Sequence, residues 1–274
     1  MLKPNAESPM DRRYTIAICK GAGLVDETRQ LINHWRPGEE VRTFVQRVQE
    51  EDLLGRYTAY RAHDIARRVF ARRFLIPSDR PARILKRLVD RGLPHKTFTE
   101  MLFLFACRAD ALLYDFTIQC YWEAVQRGRT HLTTADALAF FADALARGLI
   151  PRPWSDRVEI KIARGLIGML RDVGFLQGHR RNQHGHEIVP YDMSDEGAAC
   201  LARDLYDAGV SDSALSAHTD WRLFGLSCER VYERLDKLGE DRGLLIQRAG
   251  SVVSITWRVK SMEDLIDVLA RSNV

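Results

Sequence analysis

Apolar residues recur at helical spacing along most of this chain, and glycine, proline or a capping residue ends each run. The clearest run follows Ser155, where Val158, Ile162 and Leu166 share one side, and it ends at Val173. This periodicity predicts a mainly α, multi-helical protein. Helices are expected at 24–35, 41–54, 58–75, 81–91, 96–107, 111–127, 133–146, 155–173, 194–208 and 227–238.

Two places in the second half of the chain combine a helix with alternating residues. Leu244–Arg248 and Val252–Arg258 alternate with period two, which predicts a β-hairpin. The segment Gly174–Gln177 is similar in sequence to Gly243–Gln247. Each segment follows an amphipathic helix and leads into a predicted hairpin. A helix followed by a hairpin is typical of winged-helix units.

Breaks in the pattern predict the domain organisation. Residues 1–13 are expected to be a flexible leader. Helices 41–54 and 58–75, joined by a short turn that contains Gly55, resemble a helix-turn-helix pair within an N-terminal helical domain, 14–150. Gly148, Pro151 and Pro153 then mark a boundary, and a C-terminal winged-helix-like domain is expected at 151–274.

The positive charge is concentrated rather than spread. Eleven basic and three acidic residues lie between Arg56 and Arg91, a net charge of +8 in a chain whose total is +4. On the 155–173 helix, Arg157, Lys161, Arg164 and Arg171 lie along a single line. Rows of guanidinium groups suit the phosphates of DNA, because each neutralised phosphate releases a counterion.

The sequence therefore predicts a protein that binds double-stranded DNA mainly through its phosphates, with a helix in a groove and an arginine-bearing loop on the backbone. The residues expected to contact DNA are Arg61, Arg68, Arg72, Arg73, Arg157, Lys161, Arg164, Arg180 and Arg181. Two alternatives stay open. Charged stripes are also the ordinary outer faces of amphipathic helices, and winged helices also bind proteins.

No pattern typical of an active site is present, so an enzyme is not expected. There is no phosphate-binding glycine loop and no G-x-S-x-G elbow. His184, His186 and Glu187 do not match a strong zinc spacing, and Glu159-Ile160-Lys161 resembles a nuclease E-x-K but lies within a helix. We expect no metal, no cofactor and no small-molecule substrate. A metal-dependent nuclease would need His184, His186 or Glu187 for cleavage.

Cysteine usage and hydropathy indicate the compartment. The five cysteines are scattered and form no C-x-x-C pair, which is typical of a reduced, cytoplasmic protein. The longest apolar run, Met101–Cys107, is far shorter than the roughly 20 residues of a membrane span. The first 13 residues also lack the apolar core of a secretory signal.

Several segments, in order, resemble the BrxA family of BREX (bacteriophage exclusion) phage-defence systems. They are Tyr14-Thr15 with Lys20–Leu24 and Glu27-Thr28; Leu53–Arg56 with Thr58 and Arg72–Leu75; Ala109–Phe116; Trp122; Thr133–Asp136; Trp154-Ser155; Ala163–Leu166 with Leu170–Leu176; and Asp220–Phe224. The resemblance implies a non-enzymatic accessory protein that binds DNA or organises a complex with other BREX components. The resemblance supplies no catalytic motif. The predicted DNA contacts rest on the placement of charge in the sequence and not on the resemblance.

Overall fold

The computed structural model describes residues 13–178, 185–239, 243–249 and 252–271. They form a mainly α protein with two small antiparallel sheets, which confirms the predicted fold class. The chain divides into two compact units, which are unit 1, Met1–Leu24 with Ala106–Pro190, and unit 2, Val25–Phe105 with Tyr191–Val274. Of the predicted leader, residues 1–12 lie outside the described residues.

Unit 1 is mainly helical and ends in a short hairpin. Its elements are a 3-10 helix, Ala17–Lys20; α7, Ala111–Phe116, continued by a π-helix, Thr117–Tyr121, and α8, Trp122–Gln126; β1, His131–Leu132; α9, Thr134–Ala146; α10, Asp156–Val173; β2, Leu176–Gln177; and β3, His186–Ile188. Pro151 and Pro153 lie in the turn between α9 and α10, two helices that contact each other. Residue 150, the predicted boundary, therefore lies inside unit 1.

Local chemistry fixes where these helices begin and end. Asp110 Oδ1 accepts from the backbone N–H groups of Leu112 and Leu113 at the start of α7. Thr133 and Asp136 form a reciprocal capping box at the start of α9. Ser155 occupies the N-cap position of α10 without a side-chain cap, and Gly174 ends α10 at φ +91°.

The sheet of unit 1 joins residues that are far apart in sequence. Its strand order is β1-β3-β2, all antiparallel, with His131 opposite Glu187 and Leu176 opposite Ile188. Phe175, at the turn between α10 and β2, stacks on Tyr121 with 5.1 Å between ring centroids, and its carbonyl accepts from the Tyr121 hydroxyl at 3.1 Å. The end of α10 is therefore fixed to the preceding helices.

The first stretch of unit 2 is helical. It contains α1, Val25–His34; α2, Val41–Glu50; α3, Ala59–Asp64, continued by a π-helix, Ile65–Phe70, and by α4, Ala71–Phe74; α5, Arg80–Asp90; and the first part of α6, His95–Ala109. Phe44 of α2 packs on Phe70, which packs in turn on Phe74, with centroid distances of 5.4 and 5.6 Å. The predicted helix at 58–75 therefore exists, but its middle is a π-helix.

The second stretch of unit 2 ends in a hairpin and a helix. It contains α11, Asp195–Asp207; α12, Asp212–Leu215; a 3-10 helix, Thr219–Phe224; α13, Cys228–Leu238; β4, Leu244–Ala249; β5, Val252–Trp257; and α14, Met262–Arg271. The hairpin matches the prediction, with Leu244 opposite Trp257. The guanidinium of Arg203 donates to the carbonyls of Val259 and Lys260, which holds the chain after β5 against α11.

Among the described residues, no helix combines the length and the apolar character needed to cross a bilayer.

Candidate nucleic-acid interface

The exposed residues of α10 lie in its first half. They are Asp156, Arg157, Ile160, Lys161 and Arg164, and the opposite side of the helix is buried by Ile162, Leu166, Met169 and Leu170. No ion pair or side-chain hydrogen bond joins Arg157, Lys161 or Arg164 to another described residue. Residues three, four and seven apart on a helix are neighbours, so these three cations form one row. We call it the α10 row.

The second half of α10 is covered by the chain segment 17–23. A Cβ at Gly165 would lie 3.2 Å from Cγ1 of Ile18, and one at Gly168 would lie 3.7 Å from Cβ of Ala22. A Cβ at Gly23 would overlap the side chain of Asp172. Glycine at these positions lets the two backbones approach, and the α10 row is left as the uncovered part of the helix.

The 3-10 helix packs on α10, and its Cys19 lies near Lys161 of the α10 row. Burial raises the pKa of the Cys19 thiol, while the nearby charges of Lys161 and Lys20 act in the opposite direction. Cys19 therefore lies within electrostatic range of both lysines, which agrees with the packing of the 3-10 helix on α10. Sequence reasoning missed this packing, because nothing in the local pattern indicates that residues 17–20 contact a helix 140 residues later.

The hairpin that follows α10 is short and well paired. Glu187 of β3 accepts from the side chain of Gln177 at 2.7 Å. His186 is buried, and its Nδ1 has no hydrogen-bond partner among the described atoms. Burial, together with the charge of Arg171, lowers the pKa of His186. The predicted DNA contacts Arg180 and Arg181 lie outside the described residues, as does His184.

No group of three His, Cys, Asp or Glu side chains in the described part of the chain is placed to hold a metal ion. Glu159 and Lys161 both lie within α10.

The basic segment of unit 2 is largely neutralised by unit 2 itself. Seven of the eleven cations between Arg56 and Arg91 form ion pairs: Arg56–Glu27, Arg68–Asp64, Arg80–Asp204, Arg83–Asp79, Lys86–Asp90, Arg87–Asp267 and Arg91–Asp267. Asp204 and Asp267 belong to α11 and α14, more than 120 residues along the chain. Most of the charge concentrated in this segment is thus matched by carboxylates of unit 2. Arg67 and Arg72 are exposed and form no ion pair with another described residue.

The four predicted contacts of the 58–75 helix are in different environments. Arg73 is buried, at 7% exposure, and has a partner within the chain. Arg68 is exposed and pairs with Asp64 at 3.1 Å, Arg72 is exposed, and Arg61 is half-buried with a partner of its own. A π-helix closes i to i+5 hydrogen bonds and holds more residues per turn, so the spacing i, i+7, i+11 no longer places Arg61 in line with Arg68 and Arg72.

The helix α13 carries cations that are balanced by acids. Arg234 donates to Asp192, to Asp195 at 3.1 Å and to the carbonyl of Met193. The exposed residues on the rest of the helix include Glu229, Arg230, Glu233, Asp236 and Lys237. This helix has no excess of positive charge comparable with the α10 row.

The family model for BrxA matches residues 12–204, which is most of the chain. The chain belongs to the BrxA family. Membership associates it with BREX phage-defence systems, as the sequence resemblance implied. The match includes every element of unit 1 from the 3-10 helix to β3, and so it includes the α10 row.

A solved structure from Magnetospirillum magneticum, described as an uncharacterized protein, is similar to this BrxA family member. The TM-score is 0.58 at 17% sequence identity, and the alignment covers 77% of this chain and 98% of that one. At this identity the similarity shows a shared fold alone. No curated protein matches the chain.

Several of the residues that carry the BrxA resemblance stabilise the structure. The hydroxyl of Tyr14 donates to Asp115 at 2.8 Å, and Asp110 and Thr133 cap α7 and α9. The indole N–H of Trp221 donates to the carbonyl of Leu215 at 2.7 Å. These residues therefore have structural roles that do not require a binding site.

Proposed function

We propose that residues 111–190 form a winged-helix module that binds double-stranded DNA, with α10 in the major groove and the β2–β3 hairpin as the wing. The order of elements supports this: a helix, a short strand, two helices and a hairpin, with the first strand paired to the third in the order β1-β3-β2. A helix-turn-helix module places its last helix in the major groove and contacts base edges from the N-terminal residues of that helix.

The observation that carries the proposal is the α10 row. The three cations lie on the first half of α10, they are exposed, and none of them forms an ion pair with a described carboxylate. The major groove is about 12 Å wide and admits one α-helix, so a row on the exposed ridge of α10 meets phosphates and base edges together.

The proposed role is that of a non-enzymatic accessory component of a BREX system. The binding involves no catalytic step, no cofactor and no small-molecule substrate. Its place is the cytoplasm, where duplex DNA is accessible and cysteines stay reduced; the five cysteines form no disulfide. Arg180 and Arg181 remain predicted phosphate contacts of the wing.

A second candidate function, protein recognition within the BREX assembly, is favoured by unit 2. There α13 and the β4–β5 hairpin repeat the arrangement of a helix followed by a hairpin, but the exposed charges of α13 are balanced. A charge-balanced helix gains little from phosphate contacts and suits a protein surface better. Other BREX components are the proposed partners of this module.

Binding of a 24-base-pair duplex, measured by fluorescence anisotropy, tests the DNA proposal. A variant carrying Arg157→Gln, Lys161→Gln and Arg164→Gln should bind at least tenfold more weakly than the unaltered protein. The matched control carries Arg42→Gln, Arg67→Gln and Arg222→Gln, three exposed cations of unit 2, and has the same net charge. Equal affinity of the two variants would contradict the proposal, and co-purification with BREX proteins without DNA affinity would favour the second candidate.

A further inference from the structure

An apolar side chain lies beside the α10 row. Of the 18 residues of α10, Ile160 is the apolar one among the five that are exposed, at 36%. Arg157 lies three residues before it and Arg164 four residues after it, so each is its neighbour on the helix surface. Lys161 follows it directly in sequence.

The side chain of Ile160 is only partly exposed. It stands at the border of the buried face, seven residues before Ile167, which is 3% exposed. A β-branched side chain in a helix keeps essentially one χ1 rotamer. The exposed part of Ile160 is therefore a fixed apolar surface with guanidinium groups on either side.

We propose that Ile160 recognises the C5-methyl group of thymine in the major groove. This inference rests on the DNA-binding function proposed for α10. The methyl group is the apolar feature of the major-groove edge, and aliphatic side chains contact it. In this arrangement Arg157 and Arg164 contact phosphates or guanine edges, and Ile160 faces the base pair that lies between those two contacts. The protein therefore prefers duplexes that have thymine at that base pair.

Replacing thymine by uracil tests this inference, because the two bases differ only by that methyl group. The probes are the alternating 24-base-pair duplexes d(AT)12 and d(AU)12, each measured by anisotropy with the full-length protein. We expect the unaltered protein to bind the thymine duplex about fourfold more tightly per methyl contacted. Ile160→Ala should remove this preference and change the affinity for d(AU)12 by less than twofold.

The control is Ile160→Val, which keeps a β-branched apolar surface and should retain most of the preference. Circular dichroism melting establishes that each variant is folded. Equal affinity of the unaltered protein for the two duplexes, with salt-sensitive binding intact, would overturn the role of Ile160 and leave the DNA proposal standing. Absence of binding to both duplexes would overturn both.

Discussion

Gly165 of α10 lies against Ile18 so closely that a Cβ at residue 165 would stand 3.2 Å from Cγ1 of Ile18. One turn further, the equivalent distance at Gly168 to Ala22 is an ordinary 3.7 Å. This pair of glycines holds the segment 17–23 on the second half of α10. It decides which part of the helix is covered and which part, the α10 row, is available.

Substitutions at the two glycines should have opposite effects. Gly165→Val forces two further carbons towards Ile18 and should lower the free energy of unfolding by about 1–3 kcal/mol. Gly168→Ala meets only ordinary contact, so the better helix propensity of alanine should stabilise by up to about 1 kcal/mol. Urea denaturation measures both. Equal destabilisation by the two substitutions would show that the packing of 17–23 on α10 differs from that described.

Two arginines of α5 should differ in their contribution to stability. Arg80 pairs with Asp204, whose side chain is 1% exposed, and with Asp207 at 3.3 Å. Arg80→Met removes a cation from a buried carboxylate and should cost about 1–3 kcal/mol. Arg83 pairs with the more exposed Asp79, so Arg83→Met is the control and should cost less than about 0.5 kcal/mol. Thermal unfolding measures the loss of stability in each variant. Equal losses would contradict the ion pairs described for Arg80.

His186 should make stability depend on pH. Its pKa in the folded protein lies below the ordinary value of 6.5, because it is buried and near Arg171. The unfolded state then binds more protons between the two pKa values, so the contribution of His186 is present above pH 6.5 and is lost as the pH falls below it. His186→Phe should flatten this dependence in urea unfolding between pH 5 and 7. If the free energy of unfolding of this variant depends on pH as it does in the unaltered protein, other groups cause the dependence.

The cations of the 58–75 helix should contribute less to DNA affinity than the α10 row. Arg68→Gln with Arg72→Gln removes one cation that already pairs with Asp64 and one that is exposed. We expect the salt dependence of binding to change by less than half as much as in the triple variant of α10. A larger change would place the main DNA contacts on unit 2.

Most of the longer helices were predictable because each carries its own signal. Spacing of apolar residues with Ser227 or Thr133 at the start located α13 and α9 to within a residue or two. The two predicted combinations of a helix and a following hairpin, at Gly174 and Gly243, are both present and belong to different units. By contrast, α14 was not predicted, although Met262, Leu265, Ile266 and Leu269 have helical spacing and are buried.

Long-range pairing was not predictable from one sequence. The strand β1 has only two residues, so no alternation marks it, and they pair with residues 54 and 56 positions later in the chain. Neither the π-helix in 59–74 nor the partners of Arg80 and Arg87 leave a local pattern. Charge counting therefore overstated the basic segment of unit 2. Helix geometry alone did predict that Arg157, Lys161 and Arg164 share one side of α10. Arg171, the fourth member of the predicted line, is half-buried and pairs with Asp172 at 2.9 Å.

The dependence of DNA affinity on salt tests the central claim most directly. Each phosphate neutralised on B-DNA adds about −0.9 to the slope of log K against log salt. If Arg157, Lys161 and Arg164 each contact a phosphate, the unaltered protein should have a slope about 2.7 units steeper than the α10 triple variant. The unit 2 control should match the unaltered protein. A slope that is the same for all three proteins would contradict DNA binding through the α10 row.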